Sequence, residues 1–154
     1  MNNYYQITEV LKDSLLQDGI INNVSQGDIF NVDVNKATIF PLAHIVVNSA
    51  TQSESGNTNV FNVSVLLMDV CDISKDANYD VFYNNDNEAD ILNSQFEIGN
   101  RLIASLRRGA LCDLGYELNG NVNFEAFSDR FENKIVGWTL TFGVECGNDM
   151  TICK

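Results

Sequence analysis

The 154-residue sequence predicts an α+β fold: one mainly antiparallel sheet with long hairpins and two helices packed on it. Three observations predict it. Two stretches place apolar residues at helical spacing, and four others alternate apolar and polar residues with a period of two. The segments run helix, hairpin, helix, hairpin, an order that lays the helices on a sheet built from the two hairpins. A content of 45% hydrophobic and 19% charged residues suits one globular domain spanning 1–154, with no internal repeat.

The first helix is read from "YQITEVLKDSLLQDG", where Ile7, Val10, Leu11, Ser14 and Leu15 share a face. Asn2 or Asn3 caps its start and Gly19 its end. "IINNVSQGD" reads as a loop turning at Gly27. "ATIFPLAHIVVNSA" is rich in β-branched residues and reads as a strand over about 38–48. Pro41 has no amide donor, which puts it near the start of that strand or on an edge. "TQSESGNTN" is a polar connector, and "VFNVSVLLMDV" is the returning strand over 60–70. The connector is longer than a tight turn needs, and such tips often carry contacts.

"CDISKDANYDVFYNNDN" is acidic and Asn-rich, hence an exposed loop. The second helix runs over about 88–108, with Ile91, Leu92, Gln95, Phe96, Ile98, Leu102, Ile103 and Leu106 as its apolar stripe. Asn87 caps it, Glu88 and Asp90 complement the dipole at its start, Arg107 and Arg108 do so at its end, and Gly109 stops it. Two more strands lie near 121–127 and 135–146. In "RFENKIVGWTLTFGVEC" the even positions read Val136, Trp138, Leu140, Phe142, Val144 and Cys146. That face, with Trp138, Leu140, Phe142 and Val144, is expected to pack beneath Phe96 and Leu102 of the second helix as core. The odd face, with Thr139, Thr141 and Gly143, is narrow enough to accept a neighbouring subunit.

The composition also restricts the chemistry. A net charge of −12 and a pI of about 4.2 disfavour a basic nucleic-acid grip or a polybasic membrane patch. No apolar run approaches a membrane span, and "MNNYYQITEV" lacks the regions of a signal peptide, so the chain is read as made and used inside a cell or in a particle assembled there. Cysteines at 71, 112, 146 and 153 form no CxxC pair, and His44 is the only histidine, so buried free thiols are expected rather than a zinc site.

Asp86, Glu88, Asp90 and Glu97 echo a calcium loop, but Ile91 stands where the loop needs glycine, and a helix start explains the acids better. His44 has no partner motif and reads as structural. Arg101, Arg107, Arg108 and Arg130 read as intrachain partners and helix caps before contacts to a neighbour. Phe61, Tyr79, Phe82, Tyr83 and Phe127 read as core or interface. No nucleophile, base and oxyanion donor assemble in the sequence, so no catalytic residue, cofactor or metal is assigned and the chain is not read as an enzyme.

Several stretches together resemble a family of tailed-bacteriophage virion proteins: "IFPLAHIVVNSA", "FNVSVLLMDV", "DILNSQFEIGNRLIASLRRG" and "FSDRFENKIVGWTLTFGVECGNDMTIC". The order of elements is similar to the tail-terminator (tail-completion) and head–tail joining fold, and the chain resembles the ring proteins of crAss-like short-tailed phages. The resemblance implies a structural protein of the virion, at the head–tail junction or in the tail and assembled in the host cytoplasm. It implies a homo-oligomeric ring, dodecameric to match a portal or else six-fold. Its partners are then the portal and other ring or tail proteins, with DNA passing through the lumen without specific binding and with no membrane. Ser53, Glu54, Ser55, Asn57 and Asn59 at the hairpin tip, with Thr139 and Thr141, are the expected subunit contacts. An adaptor or assembly chaperone for another virion protein is the alternative, and a divergent enzyme using His44 or the acidic loop a third.

Overall fold

The computed structural model describes residues 3–27, 40–71, 88–110, 115–130 and 134–147. Among them are two helices, α1 (Asn3–Gln17) and α2 (Glu88–Ser105), and five strands. The strands are β1 (Asn23–Gln26), β2 (Leu42–Gln52), β3 (Thr58–Val70), β4 (Glu117–Arg130) and β5 (Lys134–Gly147). They form one sheet in the order β1-β2-β3-β5-β4. β1 pairs with β2 in parallel, and every other pair is antiparallel. The fold is α+β, with both helices packed on a mixed, mostly antiparallel sheet.

The two hairpins join through β3 and β5, whose pairing runs unbroken from Thr58 opposite Gly147 to Val70 opposite Ile135. The register puts Val63, Val65 and Leu67 of β3 beside Phe142, Leu140 and Trp138 of β5 on one face. Ile7, Leu11 and Leu15 of α1 and Ile98, Leu102 and Ile103 of α2 cover that face and form the main core with it. Helical period meets strand period there, so Leu140, Phe142, Val144 and Cys146 are buried. Burying each large aliphatic or aromatic side chain contributes about 1.5–3 kcal/mol. Gln95 sits on the same stripe of α2, buried, and its Oε1 has no hydrogen-bond partner among the described residues.

Several boundaries differ from those expected. Residues 23–26, read as loop, form β1: its carbonyls and amides are drawn into pairing with β2, and Gly27 turns away with a positive φ of 101°. β2 begins at Leu42, after a cis Phe40–Pro41 bond, and runs on to Gln52. The polar connector is therefore shorter than expected, since Thr51, Gln52, Thr58 and Asn59 all pair. β4 reaches from Glu117, interrupted by an irregularity between Asn119 and Asn123 where Gly120 takes a φ of 75°.

α1 stops in a turn in which the Asp18 amide bonds the Leu15 carbonyl and Asp18 Oδ1 accepts from the Ile20 amide, rather than in a left-handed Gly19. α2 ends at Ser105, and Arg107 and Arg108 fall in a π-turn over Leu106–Ala110 whose helical backbone fails at Gly109. Among the described residues no helix is long and apolar enough to cross a membrane. Asn2, Tyr79, Phe82, Tyr83, Asp86 and Asn87 lie outside the described residues, as do Cys112, Cys153 and the side chain of Arg130.

Candidate interaction surface

The face of the sheet turned away from the helices has two parts. At one end Phe40, Leu42, Met68 and Ile135 are buried as a second apolar cluster, with Leu66, Val70 and Phe127 against it. Ile135, at the start of β5, belongs to that cluster. Beyond it the face turns polar. Ser64, Thr141 and Asn123 pair across three strands, and Ser49 faces Asn62. Asn48 sits in the β2 bulge between Val47 and Ser49.

These side chains bond one another. Asn48 Nδ2 donates to Ser64 Oγ at 2.7 Å, Asn62 Nδ2 donates to Ser49 Oγ at 2.9 Å, and Ser64 Oγ lies 3.4 Å from Thr141 Oγ1. The strip carries no charge, in a chain whose net charge is −12. Glutamates flank it: Glu125 opposite Thr139, and Glu117 opposite Glu145, which accepts from Asn119 Nδ2 at 3.3 Å.

The structure separates the two groups of expected contact residues. Thr139 and Thr141 lie half-buried in the polar strip. The tip lies six residues along β3 from Ser64, the partner of Thr141, or about 20 Å at strand rise. At the tip, Glu54, Ser55 and Asn57 are exposed, whereas Ser53 works within the turn. Its amide donates to the Thr58 carbonyl, its carbonyl accepts from the Gly56 amide, and its Oγ accepts from the Thr58 amide. Asn59 pairs opposite Cys146 and is half-buried. Ser53 and Asn59 thus have structural duties that the sequence did not reveal.

His44 is fully buried on the face away from the helices. The Gly27 carbonyl, 2.9 Å from Nε2, can only accept, so Nε2 carries a proton. In the neutral ring Nδ1 then accepts from Ser25 Oγ at 2.6 Å. A serine, a histidine and an acceptor thus line up, but the third member is a carbonyl rather than a carboxylate and the ring has no exposed surface. The arrangement straps β1 and its turn to β2. His44→Ala is expected to lower stability by about 2 kcal/mol in urea unfolding, since it strands Ser25 and the Gly27 carbonyl and opens a cavity. Hydrogen exchange should speed up at the Gly27 amide, which bonds Ile45.

Elsewhere, Arg101 pairs within the chain, its Nε 2.8 Å from Asp18 Oδ2. That hydrogen bond raises the guanidinium pKa and joins the end of α1 to α2. Tyr116 is buried and its hydroxyl donates to Gln6 Oε1, tying the start of β4 to α1. A cleft of about 660 Å³ at the tip end of the sheet is lined by Thr58, Arg107, Tyr116, Glu117 and Glu145, among others. Among the described residues no three His, Cys, Asp or Glu side chains gather as a metal site requires. Cys71 and Cys146 are buried.

Exposed apolar side chains on and just after α1 were missed by sequence reasoning. Tyr4, Tyr5, Leu16 and Ile20 are the exposed large hydrophobic residues among those described, and Tyr5 is 64% exposed. Tyr5, Glu9, Lys12 and Leu16 recur at helical spacing on one side of α1, and that spacing was the available signal. No protein-family model matches the chain, and no curated protein matches it.

Proposed function

We propose that the chain is a structural subunit that assembles with copies of itself into a closed ring, in the head–tail connector of a tailed bacteriophage, around the path of the DNA. The observation that carries this reading is the uncharged strip of Asn48, Ser49, Asn62, Ser64, Thr139, Thr141 and Asn123. Subunits this acidic repel one another, and like charges brought together at an interface cost several kcal/mol. A neutral surface of small side chains lets a second copy approach over Ser64, Thr141 and Asn123 while the carboxylates of Glu125 and Glu145 stay at its margin. The exposed Tyr4, Tyr5 and Leu16 of α1, interspersed with Glu9 and Lys12, make a second, unlike surface on the same subunit, and contacts between unlike surfaces generate rings when the rotation closes. Acidic residues elsewhere on the surface disfavour tight binding to phosphates, which suits a channel through which a duplex slides.

The test is the mass of the assembled protein. Native mass spectrometry of the purified chain is expected to give one fixed multiple of the subunit, twelve or six. Thr141→Lys, which sets a charge into the strip, is expected to weaken assembly at least tenfold while the circular-dichroism spectrum stays unchanged. A wild-type protein that stays monomeric at high concentration and within virions overturns the ring. Absence from mature particles points instead to an assembly chaperone.

A further inference from the structure

The sequence holds one Asn-Gly pair, Asn119–Gly120. It sits where β4 leaves its ladder. Asn119 pairs opposite Gly143, and Gly120, Asn121 and Val122 then lie opposite Phe142 alone before pairing resumes at Asn123. The Gly120 amide therefore has no partner residue in the ladder. Gly120 takes a φ of 75°, a region that residues with side chains rarely adopt, and both Asn119 and Gly120 are exposed.

Asparagine is among the thermolabile residues, because the main-chain nitrogen that follows it can attack its side-chain amide. The attack is hindered when that N–H is held in a ladder or when the next residue carries a Cβ. Asn119 meets neither obstacle. Its own amide is held by one exposed bond, from Nδ2 to Glu145 Oε2 at 3.3 Å. We propose that Asn119 is a site of spontaneous deamidation. The Gly120 nitrogen bonds to Cγ of Asn119, the Cγ–Nδ2 bond breaks, and Nδ2 leaves as ammonia with the proton that Gly120 gives up. The product is a cyclic imide. Water then reopens it: cleavage at Cγ gives aspartate, and cleavage at the main-chain carbonyl gives isoaspartate, in which the chain runs on through Cγ.

The surroundings give the change its consequence. Glu117 stands directly opposite Glu145, on the side of the sheet that Asn119 shares, and like charges so placed destabilise a strand pair. Asn119 offers Glu145 a donor. Conversion replaces that donor with a carboxylate, so a third negative group faces the other two. Isoaspartate also lengthens the main chain by a methylene and disturbs the spacing that sets Asn119 opposite Gly143. Either product loosens the first paired segment of β4, residues 117–119, whose Leu118 packs half-buried against the main core. The site stands whether or not the chain forms a ring.

Ageing the purified chain in mildly alkaline buffer and mapping its peptides by mass spectrometry tests this. Conversion at Asn119 is expected to run roughly tenfold ahead of that at Asn48 and Asn93, each of which is followed by a serine with its Cβ. Both aspartate and isoaspartate should appear at that position. The aged protein should exchange amide hydrogens faster over residues 117–119. Asn119→Gln keeps the amide but closes no such ring readily, and after the same ageing it should exchange as it does when fresh. Equal conversion at the three asparagines overturns the proposal, as does conversion at Asn119 that appears only once the chain is unfolded in urea. Conversion with no faster exchange overturns the structural consequence and leaves the site.

Discussion

Gly137→Ala is expected to abolish the native fold. A Cβ built on Gly137 stands 1.8 Å from the carbonyl oxygen of Leu67 and 2.9 Å from the Met68 Cα, where real contacts stay beyond 3.0 Å. The obstacle is backbone in the neighbouring strand, so no rotamer change relieves it. β3 and β5 must part by more than an ångström at the seam joining the two hairpins, where the pairing is otherwise unbroken. The loss should exceed about 4 kcal/mol, a magnitude that removes most or all of the stability of a domain this size. Circular dichroism should show little cooperative melting. Gly143→Ala is the comparison: its Cβ meets the Asn119 carbonyl oxygen and Val60 Cγ1 at 3.3 Å, so a slight shift accommodates it. A Gly137→Ala protein that melts within a few degrees of wild type would show that the strands do not approach this closely.

Trp138→Ala has the next largest expected effect. The indole is half-buried, its ring centroid is 5.1 Å from that of Phe96 in an edge-to-face arrangement, and Nε1 donates to the Leu92 carbonyl at 2.7 Å. Phe96 also packs on Phe124, with centroids 4.9 Å apart. Truncation therefore removes the contact that seats the first half of α2 on the sheet, and about 3–5 kcal/mol should be lost in chemical denaturation. Trp138→Phe keeps a ring and loses the hydrogen bond, for a smaller change of about 1 kcal/mol. An alanine variant within about 1 kcal/mol of wild type would place Trp138 outside the core.

The parts of the fold that were legible in the sequence are those in which periodicity and burial coincide. α1 shows Ile7, Leu11 and Leu15 at helical spacing, and β5 alternates over six even positions, so each announces its buried face. β1 was not legible. It is four residues long and polar at three of them, and its strand character comes from pairing with β2, some twenty residues away. The ends of β2 and β3 were misplaced for a related reason: once a hairpin is zipped, backbone pairing continues through Thr51, Gln52 and Asn59, and Thr58 goes on to pair with β5, without help from apolar side chains. The burial of Ile135 was not legible either, because period two tells which residues share a face, not which stretch of that face is covered.

The candidate surface was half legible. Thr139 and Thr141 were chosen for their position on the narrow face of β5, and they do lie in the neutral strip. Their partners Asn48, Asn62 and Ser64 come from another hairpin, and only the strand register brings them together. Ser53 was chosen for its place at the tip, but its turn bonds depend on Thr58 returning to face it. The places of β1 and β4 as the outer strands among those described follow from strand order, which one sequence does not disclose.

The mutual bonding of Asn48 with Ser64 and of Asn62 with Ser49 also bears on how readily this surface is used. A free surface side chain must surrender its rotational freedom when a partner arrives, at about 0.5–1.5 kcal/mol for each flexible side chain immobilised. Here the asparagine amides are already held by their serine neighbours, so that freedom is surrendered when the subunit folds. The strip then meets its partner as a set surface, and little of the contact energy is spent on stilling it.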